Sequence, residues 1–308
     1  MIYTLTLNPS IDQFITVKKL VPKDKLKGED IRLDPGGKGF NVSRVVQELG
    51  GKTKAFGVIG GHTGEMVKDL LLQRSIPHDF CQVDGETRTN LIINDRSTGA
   101  QTRINPPGPR LRADDVKRLL GLIERASPRP SYWAICGSLP PGVPDNIYQR
   151  LIAYLQKRGE RCVLDSDDQQ LKLGLKAKPF MIKPNVFELE RLLGRACKNR
   201  EQILKAGRQL TAHAEVVAIT LAEKGAYIVT KNDAWHLPAL DVKVKSDVGA
   251  GDSFIGGFLW ALDAGKDLHE ASRWAVAAAT GSIMREGTAQ CQRRDVNRLI
   301  KQVTLKSF

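Results

Sequence analysis

Asp252 is the carboxylate whose setting best suits chemistry. The run Ser246-Asp247-Val248-Gly249-Ala250-Gly251-Asp252-Ser253 ends a charged, β-branched segment and makes a turn of small residues. Asp252 then opens an apolar stretch, Phe254 to Leu262, that predicts a buried helix. Glycines let the backbone take positive φ and come close to a ligand. The first N–H groups of a helix lack intrahelical partners and carry partial positive charge, so they suit a phosphate oxygen. A carboxylate among such donors can take a proton from an alcohol beside a transferring phosphoryl group. The alternative is that Asp252 simply caps its helix, a position Asp fills well.

Other residues offer matching chemistry. Gly36-Gly37-Lys38-Gly39 with Asn41 combines bare backbone amides, a cation and an amide side chain. Those groups suit a polyhydroxy ligand carrying phosphate, or else a helix-start turn with a surface lysine. Asp12, behind Asn8-Pro9-Ser10, can accept from two sugar hydroxyls or stabilise its own turn. Arg88 and Arg103 have the planar fork that grips a phosphate, although exposed hairpin arginines are common. Lys183-Pro184-Asn185-Val186-Phe187-Glu188 sets a cation, an amide and a carboxylate at a strand-to-helix junction. Asn185 with Glu188 fits a capping box, and the same pair fits a hydrated Mg²⁺ beside nucleotide phosphates.

The elements that must hold these residues follow from periodicity. Ile2 to Leu7 alternates and predicts a strand. Residues Gln13 to Leu33 read as a small β excursion. A helix runs from the glycine turn to about Leu49, Lys54 to Ile59 is a strand, Gly60 to Gly64 a loop, and Glu65 to Arg74 a helix. Thr89 to Asn94 and Gln101 to Asn105 predict a hairpin that joins the first excursion. Helices at Ala113 to Ala126, Asp145 to Arg158, Glu201 to Ala212 and from Val186 then alternate with strands. Those strands are Tyr132 to Cys136, Arg161 to Asp165, Phe180 to Lys183, Val216 to Thr220 and Ala226 to Thr230. Such alternation predicts an α/β fold, a parallel sheet with helices on both faces. Ligands bind such sheets at the carboxyl ends of the strands. Asp12, Gly137-Ser138, Asp165, Lys183-Pro184-Asn185 and Thr220 all fall there.

Composition narrows the function. The chain has 308 residues, 41% hydrophobic and 26% charged, ordinary for one large soluble α/β domain. No apolar run is long enough to span a membrane, and the N-terminus lacks a signal-peptide pattern. The five cysteines are scattered, without a C-x-x-C, which argues against a disulfide frame or zinc site and for a reducing compartment. A net charge of +13 suits anionic partners, but the Lys and Arg are dispersed and no nucleic-acid motif is present. Gly51-Lys52-Thr53 follows a helix rather than a strand, so it is not a P-loop. Gly37-x-Gly39 and Gly249-x-Gly251 lack the third glycine of a dinucleotide fingerprint, having Val42 and Phe254 instead.

Six motifs, in order along essentially the whole chain, carry a family resemblance. They are Thr6 to Asp12, Gly36 to Arg44, Thr87-Arg88-Thr89-Asn90, Gly137-Ser138-Leu139-Pro140, Lys183-Pro184-Asn185 with Glu188, and Val248 to Ser253. The chain resembles the ribokinase-like (pfkB-type) carbohydrate kinases, in the branch of 1-phosphofructokinase, tagatose-6-phosphate kinase and the minor bacterial 6-phosphofructokinase. The resemblance implies a three-layer catalytic domain over 1–308, with lid segments at about 12–34 and 87–106. It implies ATP-dependent phosphorylation of a ketohexose phosphate, foremost fructose-1-phosphate, in the cytoplasm. Asp252 would be the base, with the amides of Gly249, Ala250 and Gly251 as an anion hole. Asp12, Gly37, Lys38, Asn41 and Ser138 would hold the sugar, and Arg88 and Arg103 its phosphate, with Lys25 and Lys27 as further candidates. Lys183, Asn185, Thr220 and Gly225 would serve ATP; Glu188, and Asn185 through water, would serve Mg²⁺. The lid would pair two subunits. A sugar-phosphate-responsive protein without turnover is the competing class, and retention of Asp252 argues against it. Two departures stand out: Asp247 where the family has Thr, a small residue or Pro, and Ala222 where it has glycine.

Overall fold

The computed structural model describes residues 1–308. In chain order its strands are β1 (Ile2–Thr6), β2 (Ser10–Val17), β3 (Gly28–Gly36), β4 (Thr53–Ile59), β5 (His78–Gln82), β6 (Arg88–Asp95), β7 (Gln101–Ile104), β8 (Tyr132–Cys136), β9 (Arg161–Asp165), β10 (Met181–Ile182), β11 (Val216–Thr220), β12 (Ala226–Val229), β13 (Ala234–Leu237) and β14 (Lys306–Ser307). The helices are α1 (Lys38–Glu48), α2 (Gly61–Leu72), α3 (Ala113–Glu124), α4 (Ile147–Lys157), α5 (Asp168–Gly174), α6 (Val186–Leu193), α7 (Arg200–Leu210), α8 (Ala250–Asp263), α9 (Leu268–Ile283) and α10 (Arg293–Leu299).

Ten strands form the main sheet in the order β14-β13-β12-β11-β10-β9-β8-β1-β4-β5. From β5 to β11 every pairing is parallel. The strands there are continuous apolar runs because both faces are covered; Tyr132 to Cys136 is buried at every residue. On one face Val42, Val45 and Val46 of α1 meet Phe254 and Phe258 of α8 and Ala275 of α9. Gly257 lets α8 and α9 touch, since a Cβ there would lie 2.6 Å from the Trp274 carbonyl oxygen. On the other face Leu119 and Ile123 of α3, Leu151 and Leu155 of α4 and Ile203 of α7 cover Leu5, Ile135 and Leu164.

The three layers match the sequence expectation, but the sheet is not parallel throughout. β11, β12, β13 and β14 pair antiparallel. The link from β11 to β12 is only Leu221 to Gly225, far too short for a crossover. Helix α2 starts at Gly61, inside the segment read as a loop. Its first amides are satisfied from a distance: His62 and Thr63 donate to the Glu86 carboxylate at 3.1 and 3.0 Å. β5, β13, β14 and α5 carry no clear sequence signal.

A second sheet, ordered β3-β2-β6-β7, stands over one end of the first. β2 pairs antiparallel with β3 and parallel with β6, in a register that sets Ser10 opposite Arg88 and Asp12 opposite Asn90. Side chains alternate across a strand. Asp12, Phe14, Asn90, Ile92 and Arg103 face a cavity toward the main domain. Ile15, Ile31 and Ile104 belong to the opposite, outer set of positions, and Ile31 and Ile104 are exposed.

Candidate active site

The N-termini of α1 and α8 converge on the carboxyl ends of β9 and β10, beneath the second sheet. Helix α8 is capped by Gly249, with φ 77° and ψ 3° and no side-chain hydrogen bond. Asp252 is therefore the third residue of the helix and not its cap, which corrects the capping alternative. The backbone turn at Gly249 needs the left-handed region, so the cap position demands glycine rather than a polar side chain. Asp252 is buried, and its Oδ2 accepts from Asn41 Nδ2 at 2.8 Å. Burial, with repulsion from Asp165, pushes its pKa up to about 6 against the pull of Lys38, the Asn41 hydrogen bond and Lys183.

Asp165, 2% exposed at the end of β9, holds two cations. Lys38 Nζ and Lys183 Nζ each lie 3.5 Å from its Oδ1, and Lys38 also lies 3.5 Å from Asp167. Burial opposes the charge on Lys38, but Asp165, Asp167, Asp252 and Glu188 outweigh it and hold its pKa above the ordinary lysine value. Burial likewise opposes the charge on Asp165, yet Lys183 and Lys38 keep that carboxyl below its ordinary value. The Lys183 ammonium rests against the first turn of α8, where a Cβ on Gly251 would meet it at 2.9 Å. A row of alternating charges thus runs along the floor of the site.

On the side of the second sheet a cavity of about 160 Å³ is lined by Asp12, Phe14, Asn90, Ile92, Arg103, Asn105, Val248 and Thr288. Asp12 Oδ1 accepts from Ser10 Oγ and Asn90 Nδ2, both at 2.8 Å, and its Oδ2 makes no hydrogen bond within the protein. Burial raises the Asp12 pKa in spite of these bonds. Gly36 keeps this carboxylate in place, since a Cβ there would clash with Asp12 Oδ1 at 2.3 Å. Arg88 is no exposed hairpin residue. It is half-buried and donates to the Pro106 and Asn8 carbonyls at 3.2 and 3.0 Å, while its buried Nε lacks a partner. Arg103 is exposed and reaches Asp247 at 3.3 Å. Ser138 is exposed and accepts from Asn8 Nδ2 at 3.2 Å. Gly37 starts α1 at φ 134°. Lys25 and Lys27 are exposed between β2 and β3 and line neither cavity.

On the other side lies a cavity of about 690 Å³. Thr220, Ala222 and Gly225, the first turn of α8, and Val276, Ala279 and Thr280 of α9 line it, with Asp247 at its edge. Asn185 and Glu188 form the capping box of α6, through bonds of 2.9 and 2.8 Å. Glu188 Oε1 takes no part in that box, and burial raises the carboxyl's pKa. No group of three or more His, Cys, Asp or Glu side chains is gathered for a metal ion. Such a donor set fits Mg²⁺ held mainly by water and substrate phosphates, not a protein cage. Ala222 has φ 51°, a left-handed value unfavourable for alanine, so this residue sits at a strained position.

The structure brings Asp252, Asn41, Lys38, Lys183 and the Gly249-Ala250-Gly251 turn together, with Asp12 under the second sheet and Thr220 and Gly225 in the larger cavity. Sequence reasoning assigned no role to Asn90, Asn105, Thr288 or Asp165. Asn90 and Asp165 stood inside recognised motifs or strand ends; Thr288 carries no local signal.

Comparison with known proteins places the chain in a family. The model of the pfkB family carbohydrate kinases matches residues 5–295. The ATP-dependent 6-phosphofructokinase isozyme 2 of Escherichia coli (strain K12) is 33% identical, over 97% of each chain. The 1-phosphofructokinase of Bacillus subtilis (strain 168) is 32% identical, over 93% of each chain. A crystal structure of phosphofructokinase-2 from Escherichia coli in complex with substrates and products superposes with a TM-score of 0.93, at 32% identity and 98% coverage of each chain. With a family match across nearly the whole chain, a relative 33% identical over 97% of each chain and a shared fold, the protein belongs to the pfkB family of carbohydrate kinases.

Proposed function

We propose that the protein transfers the γ-phosphoryl group of ATP to the free primary hydroxyl of a ketohexose phosphate, foremost fructose-1-phosphate, giving fructose-1,6-bisphosphate and ADP. The observation that carries this reading is one buried carboxylate, Asp252, in the first turn of a helix without a side-chain cap and close to two lysines. A polar cavity of about 160 Å³ and a larger one of about 690 Å³ supply room for two substrates.

Phosphoryl transfer asks a protein mainly for positioning and charge stabilisation. Asp12, Gly37, Lys38, Asn41 and Ser138 hold the sugar, and Arg88 and Arg103 its phosphate. Asp252 takes the hydroxyl proton as the oxygen attacks. The amides of Gly249, Ala250 and Gly251, with Lys183, stabilise the charge on the transferring group. Thr220 and Gly225 hold the nucleotide, and the small residues of α9 leave room for its base. Mg²⁺, held by Glu188 and Asn185 through water, would neutralise phosphate charge. The second sheet acts as the lid of one catalytic domain over 1–308 and keeps water from the site. Its outer face carries the exposed Ile31 and Ile104, which supports pairing of two lids in a homodimer. Five unpaired cysteines and no helix long enough to cross a membrane are consistent with a cytoplasmic enzyme.

The two kinds of relative are about equally similar, so 6-phosphofructokinase activity is the second reading, with tagatose-6-phosphate kinase beside it. The test is ADP release from Mg-ATP with fructose-1-phosphate, fructose-6-phosphate, tagatose-6-phosphate and free fructose. Preference for fructose-1-phosphate is the expected result. Preference for another phosphosugar moves the assignment to that branch. Turnover of free fructose alone would remove Arg88 and Arg103 from phosphate binding. No turnover in folded protein would favour the regulatory alternative.

A further inference from the structure

Arg44 lies one turn beyond Asn41 on α1, and its NH1 donates to Asn41 Oδ1 at 3.1 Å. A guanidinium can only donate, so the amide oxygen must face it. The amino end of Asn41 is thereby turned to Asp252 Oδ2. The two ends of an asparagine amide are alike in shape and opposite in polarity. Turned over, Asn41 would offer an oxygen to Asp252, which suits only the protonated acid. We propose that Arg44 is a positioning residue that locks the polarity of the Asn41 amide and so disfavours protonation of Asp252. This rests on the reading of Asp252 as the base.

The surroundings fit such a lock. Asp34 and Arg32 on β3, Asp12 on β2 and Arg74 just beyond α2 are the charged groups around Arg44. Asp34 is already engaged by Arg32 at 3.1 Å, Arg74 at 3.0 Å and Thr288 Oγ1 at 2.8 Å. Burial, with Arg74 and Arg32, lowers the Arg44 pKa to about 10, which leaves it charged at neutral pH. Asp252 in turn faces Lys38 from α1, Asp165 from β9 and Lys183 beyond β10, besides Asn41. Among these, Asn41 alone can present either a donor or an acceptor, so it alone needs a fixed polarity.

The test follows the Asp252 carboxyl by ¹³C NMR in the unliganded protein, assigned with Asp252→Asn, and separately the acid limb of kcat/KM for the phosphosugar that is turned over. Arg44→Met is expected to move both upward by about half a pH unit or more. Arg44→Lys, which keeps a donor and a charge, is expected to leave them in place. In an Asn41→Ala background Arg44→Met is expected to add nothing, because the effect runs through the amide. No shift in Arg44→Met overturns the proposal. So does an equal shift in the Asn41→Ala background, which would be a direct effect of charge. Should Arg44→Met fail to fold, the unsubstituted protein decides: new NOEs from the Asn41 Nδ2 protons to the Arg44 guanidinium below the Asp252 titration would overturn the lock, and their absence supports it. If the carboxyl titration and the acid limb of unsubstituted enzyme disagree, the base assignment fails instead, and the NMR arms still test the lock.

Discussion

The floor and the rim of the site use the same kinds of charge under opposite conditions. On the floor Asp165 and Lys183 are 2% and 7% exposed, and their neighbours Lys38 and Asp252 feel them strongly enough to shift. At the rim Arg103 and Asp247 pair at 3.3 Å with side chains 43% and 88% exposed. Water screens the rim pair, which is worth about 0–1 kcal/mol. Burial makes each floor charge dependent on its partners. The buried charges are held by their surroundings, and the exposed pair is open to water.

The largest effect expected is from Asp252→Asn, which removes the proton acceptor and leaves the shape. It should lower kcat about a thousandfold, the middle of the range for a general base, with little change in the KM for phosphosugar. An unchanged rate of ADP production would take the chemistry away from the floor. Asp165→Asn should be the most damaging to stability, because it strands Lys183 and Lys38 without their shared carboxylate. A loss of about 3 kcal/mol is expected, read from the urea midpoint; a loss below 1 kcal/mol would make the floor behave like the rim. The pH profile is the next comparison. Asp252 must be unprotonated to act, so kcat/KM should fall about tenfold per pH unit once the pH drops below about 6, and level off above. A flat profile down to pH 5 would mean that burial has not raised this carboxyl. Asp247→Thr should do least. Stability should change by no more than about 0.5 kcal/mol, and the KM for ATP should fall by about two- to fivefold as a carboxylate leaves the phosphate-facing edge. A stability loss near that of Asp165→Asn would erase the distinction between rim and floor.

The sequence made the framework legible because its signals are local. Apolar strands, glycine turns and the two halves of the lid each announce themselves within a dozen residues. What it hid is contact across distance. Asp165 holds Lys38, which lies 127 residues earlier in the chain, and Arg103 reaches Asp247 over a separation of 144. The start of α2 was misread because its cap, Glu86, is supplied from beyond the helix and its own glycines signal a turn. The capping alternative for Asp252 arose because a glycine cap leaves no polar signature. The antiparallel edge was missed because alternation of strand and helix says nothing of direction once the connection shortens to five residues, Leu221 to Gly225. Asn90 and Thr288 join the lid cavity only through sheet register and a loop contact.

The parallel pairing of β2 with β6 also ties the second sheet to the first. Ser10 meets Arg88 across a stretch of chain that includes β3, α1, β4, α2 and β5. Bringing such distant segments together costs loop entropy that the core must offset first. The second sheet is therefore tied to the first at two points far apart in the chain, and a change that loosens β1 against β4 and β5 is expected to loosen it too.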